Sequence, residues 1–194
     1  RVIDLRGNNL EGNIPAELSI LANLTGLSLG RNNFSGEISP FFGNLSSLRI
    51  LGLSKNNLDG NIPTELGRLS NLQVIELSSN RLSGTAPPQI YNISSIQTFS
   101  ITNNLLSGEL PSNVGLTLPN LQLFLADLNQ FTGSIPLTIA NASGLIKISL
   151  GDNNFSGAIP PNLGSLQNLQ VLHFGHNPLG INEANSIGFI SSLM

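Results

Sequence analysis

The chain has 194 residues, only 10% of them charged, and a formal net charge of −3. That balance argues against nucleic acid, which calls for a clustered basic face. No apolar run reaches the roughly 18 residues of a membrane span. Cysteine is absent, so no disulfide braces the fold.

Taken in order, the chain writes one segment eight times, with repeats starting near residues 1, 24, 48, 72, 96, 121, 145 and 169. Residues 48–71 serve as the template, counted from Leu48 as position 1. Leu48, Leu51, Leu53 and Leu58 fill positions 1, 4, 6 and 11, and Asn56 fills position 9. Gly60 follows at 13, Ile62-Pro63 at 15 and 16, then Leu66 and Leu69. Position 9 fixes the register, with Asn8, Asn32, Asn56, Asn80, Asn104, Asn129, Asn153 and Asn177. Successive asparagines lie 24 residues apart, except for 25 between Asn104 and Asn129. The extra residue falls in the loop Gly115-Leu116-Thr117-Leu118-Pro119 of repeat 5. Repeat 8 keeps Leu172, Phe174, Asn177 and Leu179 but then departs into INEANSIGFISSL, which has no Gly-x-Ile-Pro. The chain enters at position 2 of a repeat and neither end shows a polar cap, so it reads as an internal slice of a longer solenoid.

A fixed period near 24 residues with the pattern LxxLxLxxNxL is that of a leucine-rich-repeat solenoid. Period-two alternation makes positions 3 to 7 a short strand, with Leu51 and Leu53 inward and Ile50, Gly52 and Ser54 outward. One strand cannot bury its inner face alone, so the repeats stack into a parallel sheet with strands about 4.8 Å apart. The asparagine ladder is read as structural: each side chain has donors and an acceptor for backbone groups of the turn leaving the strand. Glycine at position 13 (Gly12, Gly36, Gly60, Gly84, Gly108, Gly133, Gly157) suits a tight bend, and proline at position 16 suits a turn. The rest of each repeat is too short for a full helix and fits a 3₁₀ or single helical turn.

The continuation LxGxIPxxLGxL, as in LDGNIPTELGRL at 58–69 and FSGAIPPNLGSL at 155–166, resembles plant-type leucine-rich repeats. Segment 90–136 and the aberrant repeat 8 resemble the ectodomains of plant receptor-like serine/threonine kinases, in the group of immune receptors for bacterial patterns. The resemblance implies an α/β solenoid dominated by β-structure, a right-handed superhelix with its parallel sheet on the concave face. It also implies a ligand-recognition region outside the plasma membrane, with a membrane span and a kinase lying outside this chain. The expected partners are a peptide or glycan ligand and a co-receptor that also carries leucine-rich repeats, for immune or developmental signalling. A receptor-like protein without a kinase, or a secreted inhibitor of microbial enzymes, is the alternative. No cofactor is expected.

Six Asn-x-Ser/Thr sequons, at Asn23, Asn33, Asn44, Asn92, Asn141 and Asn154, mark candidate glycosylation sites. Asn44, Asn92 and Asn141 share position 21, in the outer loop. On the concave face, position 5 reads Asp4, Ser28, Gly52, Glu76, Ser100, Leu125, Ser149 and His173. Position 8 reads Gly7, Arg31, Lys55, Ser79, Asn103, Leu128, Asp152 and His176. Most of these are small or polar, but repeat 6 should expose Leu123, Leu125 and Leu128, with Leu105 nearby. Clustered apolar residues on a polar face mark a contact site. The candidate ligand contacts are therefore Leu105, Leu123, Leu125, Asp127, Leu128, Lys147, Asp152, His173 and His176. Ser100, Ser149, His173 and Asp152 do not read as a hydrolase, because no Gly-x-Ser-x-Gly elbow accompanies them. His173-x-x-His176 with Asp152 is a thin set of ligands for a metal. Asp152 and His176 stand on adjacent strands and are expected to meet.

Overall fold

The computed structural model describes residues 1–181. Its main element is an eight-stranded, wholly parallel sheet with one three-residue strand per repeat: Val2–Asp4, Gly26–Ser28, Ile50–Gly52, Val74–Glu76, Thr98–Ser100, Leu123–Leu125, Lys147–Ser149 and Val171–His173. Sequence neighbours are sheet neighbours throughout. The register never slips, running Leu27, Leu51, Ile75, Phe99, Phe124, Ile148 and Leu172 across successive strands. Because side chains alternate along a strand, a constant register stacks every position 4 and 6 on its counterpart and buries both in the inner repeats, while Leu5 at the start of the stack stays exposed. Leu51, Leu53, Ile75, Leu77, Phe99 and Ile101 are all fully buried. The anticipated solenoid, with its sheet on the concave face, is what forms.

The asparagine ladder does more than close its own turn. In the buried case of Asn104, Nδ2 donates to the carbonyl of Ile101 in its own repeat (3.0 Å) and of Leu77 in the preceding one (3.1 Å). Its Oδ1 accepts from the Leu82 N–H, again in the preceding repeat (3.0 Å). The same pattern recurs at Asn32, Asn56, Asn80, Asn129, Asn153 and Asn177. Each side chain thus fastens one repeat to its predecessor through backbone groups that packing withholds from water. Asn8 has no described repeat before it and donates only within its own turn, to Leu5 and Arg6.

Two further parallel sheets flank the first, and the sequence reading misses them. Glu11–Asn13, Asn33–Glu37 and Asn57–Asp59 form one, and Ser83–Thr85, Leu105–Glu109 and Gln130–Thr132 the other. The signal was a brief alternation around the buried Leu58, Leu82, Leu106 and Phe131. It was hidden by the glycine two residues later, which reads as a turn. That glycine has positive φ (70° at Gly60) and sits at or just beyond the strand rather than in a separate turn. It is also covered: a Cβ on Gly60 would lie 2.8 Å from Glu37 Cγ of the repeat before.

On the convex side, the second half of each repeat forms 3₁₀ turns at Ala16–Ile20, Pro40–Asn44, Thr64–Arg68, Ile90–Asn92, Leu137–Asn141 and Pro161–Ser165. Repeat 5, with the extra residue, makes an α-turn at Val114–Thr117 instead. Neighbouring turns pack closely. A Cβ on Gly43 would run into the Glu65 carbonyl, and one on Gly67 into the Gln89 side chain. Repeat 4 places Tyr91 where those repeats have glycine. Tyr91 stacks on Phe99 (5.2 Å, 13°), which meets Phe124 edge-on (5.7 Å, 78°). Its hydroxyl is buried without a hydrogen-bond partner among the described residues, and burial pushes the phenol well above its ordinary pKa.

Candidate ligand-binding face

Strand geometry sends positions 3, 5 and 7 to the concave surface, and a left-handed residue at position 8 then turns the chain away. Arg31, Lys55, Ser79, Asn103, Leu128, Asp152 and His176 all have φ between 51° and 59°. Their backbone stays in register, as with Arg31 N–H donating to Ser54 O and Lys55 N–H to Ser78 O (both 2.8 Å). Left-handed backbone is costly for residues other than glycine. Here it is repeated along the stack and lines the position-8 side chains up as a column beside the strands.

Over repeats 1 to 4, and reaching Ser100 of repeat 5, this surface is an open groove of about 720 Å³. Its floor is backbone and small side chains: Gly30, Gly52, Ser54, Ser78 and Ser100. Ser78 and Ser100 share a hydroxyl–hydroxyl bond of 2.6 Å. Asp4 grips Arg6 through bonds to Nε and Nη2 of 2.7 to 3.2 Å. The Arg6 side-chain bonds, with help from its backbone N–H, hold the Asp4 carboxyl below the usual carboxylate range. Arg31, Lys55 and Glu76, by contrast, have no ion pair among the described residues.

Over repeats 6 to 8 the aspartates and histidines answer one another, while Lys147 has no ion pair among the described residues. Asp127, whose side chain is 14% exposed, is the hub. Its Oδ1 accepts from Ser149 Oγ (2.8 Å) and Gly151 N–H (2.9 Å), and lies 2.8 Å from His173 Nδ1. The His173 ring lies against Gly151, where any side chain would displace it. Asp152 and His176 do meet, as the row pattern implies, at 2.8 Å. The two histidines thus turn to different carboxylates rather than converging on one centre. Nor is the Ser149–His173–Asp127 cluster a hydrolytic triad. Serine gives its proton directly to the carboxylate, and Nδ1 faces both partners, whereas general-base activation needs the two imidazole nitrogens to face opposite ways.

Leu128 is half exposed, while Leu123 and Leu125 are half-buried on the concave sheet, less open than the row pattern suggested. Leu105 is exposed but opens the strand Leu105–Glu109, so it stands off the eight-stranded face. Lys147 is half-buried at position 3. An edge row at that position escaped notice: Val2, Ile50 and Val171 are 69%, 42% and 42% exposed. Ile50 was already placed outward, so the row could have been read from the same register. All six sequon asparagines are exposed, with Asn44, Asn92 and Asn141 each closing a 3₁₀ turn. Beyond Ile181, the departure of repeat 8 lies outside the described residues.

The family model described as Leucine Rich Repeat matches residues 1–21, 23–45, 47–69, 71–93 and 144–166. No curated protein matches significantly by sequence. Among solved structures, the plant peptide hormone receptor RGFR1 in complex with RGF2 is 34% identical over 92% of this chain and 28% of its own, with a TM-score of 0.89. The ectodomain of the membrane receptor kinase GASSHO1/SCHENGEN3 from Arabidopsis thaliana, in complex with CASPARIAN STRIP INTEGRITY FACTOR 2, is 36% identical over 92% of this chain and 21% of its own, TM-score 0.88. A plant ice-binding protein is 28% identical over 91% of this chain and 57% of its own, TM-score 0.82. The chain spans only about a quarter of the length of the receptors it matches. One solenoid serves several functions, so the site has to carry the argument.

Proposed function

The chain belongs to the leucine-rich-repeat family, and from that premise we propose that it is part of a plant receptor-like kinase ectodomain that binds a peptide on its concave face. The observation that carries this reading is the groove over repeats 1 to 4, where Arg31, Lys55 and Glu76 stand in the open without an ion pair among the described residues. Two similar structures are of plant receptors, one a peptide hormone receptor and the other the ectodomain of a membrane receptor kinase, both in complexes. This favours a peptide over a glycan. In this reading the chain faces the extracellular space, and carbohydrate sits on one or more of the six exposed sequons. A co-receptor and a kinase carry the signal onward in immune or developmental pathways. Among the described residues no helix is long and apolar enough to cross a membrane.

The test is binding of the full-length chain to an immobilised library of synthetic decapeptides, with substitutions on two faces. Ser54→Trp on the groove floor should fill the groove and weaken capture at least about tenfold, the scale of a hot-spot residue, with the fold verified by circular dichroism. Gln130→Asp on the flanking sheet should do little. The reverse ranking would move the binding surface off the concave face.

A further inference from the structure

We propose that the groove over repeats 1 to 4 reads charge in order: it takes a carboxylate between Arg31 and Lys55, and a cationic group a few residues along the same ligand at Glu76. This rests on the peptide reading above and names the chemistry of its ligand. Arg31 and Lys55 stand at position 8 of adjacent repeats, whose strands lie about 4.8 Å apart. Both are exposed, and the left-handed backbone of each is fixed by bonds to the next repeat. Neither head group has an ion pair or hydrogen bond among the described residues, so two like charges rise from adjacent repeats into the same groove. A carboxylate placed between them would relieve that repulsion, and would bond strongly because both donors are charged.

The third base of the groove, Arg6, is not available, because Asp4 holds it at 2.7 Å. That confines the anion subsite to repeats 2 and 3. Gly30 and Gly52 leave the floor beneath it without side chains, so ligand backbone can approach. Glu76 forms the opposite wall. Its Oε2 leans over Gly52, 3.7 Å from where a Cβ would stand there, and makes no bond of its own among the described residues. Glu76 stands at position 5, ahead of the position-8 column and one repeat beyond Lys55, so a ligand in extended form, at about 3.3 Å per residue, reaches it a few residues from the anion subsite. The aspartates of repeats 6 and 7 cannot substitute in this code, since each already faces a histidine.

The experiment uses the full-length chain and a positional-scanning set of synthetic decapeptides, each made with a free and an amidated C-terminus. The wild type should select peptides bearing a carboxylate at least about tenfold over their Asn, Gln or amide counterparts, with Lys or Arg favoured a few positions away. Loss of selection on amidation assigns the carboxylate to the chain terminus, and persistence assigns it to an Asp or Glu side chain. Arg31→Glu with Lys55→Glu should abolish the acidic preference, and Glu76→Lys the basic one alone. All three substitutions are at exposed positions, and circular dichroism verifies the fold. Peptides selected without a carboxylate preference, or a preference that survives the double reversal, overturn the charge-reading subsite and leave the peptide reading standing. If the wild type selects no peptide at all, both readings fall.

Discussion

Repeats 1 to 4 and repeats 5 to 8 present the same strands in the same register, yet their charged side chains are disposed of differently. In the first half Arg31, Lys55 and Glu76 stand over an open groove without an ion pair among the described residues. In the second half Asp127 collects a hydroxyl, a backbone N–H and an imidazole, and Asp152 takes His176. The scaffold does not decide which charges are free. That depends on which side chains the rows bring together: Asp127 at position 7 reaches the next two strands and Asp152 meets His176 along position 8, while Gly30 and Ser54 offer no such acceptor. The boundary falls near an irregularity of the stack, where Tyr91 stands in place of a glycine and repeat 5 lengthens its convex turn.

The comparison assumes that both halves hang on one scaffold, and the ladder can break that assumption. Asn80 and Asn129 make equivalent bonds into the preceding repeat, one in each half. Replacing either by alanine strands donors and acceptors in the turn and should cost about 3 kcal/mol, alike in both halves. Asn8→Ala, which removes only bonds inside an exposed turn, should cost far less. Denaturant titration of the three variants decides this, and unequal costs at Asn80 and Asn129 would mean that the halves differ in scaffold as well as in decoration.

Substituting the hub itself sharpens the contrast. Asp127→Ala leaves the Gly151 N–H and the Ser149 hydroxyl without their acceptor and should destabilise by about 2 kcal/mol. Glu76→Ala breaks nothing internal and should stay within about 0.5 kcal/mol. Equal effects would erase the distinction between satisfied and available charge.

The junction between the halves gives a smaller effect of opposite sign. Tyr91→Phe keeps the ring stacked on Phe99 and removes a buried hydroxyl that has no partner among the described residues. Stability should rise by about 1 kcal/mol, read as a higher denaturant midpoint. A fall would show that something in solution, such as a trapped water, satisfies the phenol.

Much of this could be read from the sequence, because the repeat is its own control. Eight asparagines at one spacing fix the register, and the register fixes which residues of each strand face the core. The flanking sheets were lost because Gly60 and its counterparts look like turn glycines when they serve an extended segment with positive φ. Pairing was lost for a different reason. Asp152 and His176 share a row on adjacent strands, so their contact could be foreseen. Asp127 reaches His173 two strands away and at another position, a diagonal that row-by-row reading does not test. Leu105 was assigned to the concave cluster by nearness in sequence pattern, yet the chain has already turned into the flanking sheet at that residue.

The first half is not wholly without internal pairing, and the Asp4–Arg6 pair shows why pairing alone is not what separates the halves. Arg6 grips Asp4 in a forked geometry but both side chains are well exposed, 62% and 44%, against 14% for Asp127. Water screens such a pair, so it contributes little to stability, whereas the buried hub cannot be re-solvated when it loses its partners. Because the Asp4 carboxyl is held below its ordinary pKa, its contribution is fully present above the unfolded-state value near 3.9 and disappears as pH falls through the lower, folded value. Denaturant midpoints of the parent and Asp4→Asn should therefore differ by a small, constant amount above about pH 4.5 and converge in the acid region below it. A difference as large as that of Asp127→Ala would mean that exposed pairs support this solenoid as strongly as half-buried ones. A gap that widened on acidification would show that Arg6 is held by something other than the Asp4 carboxylate.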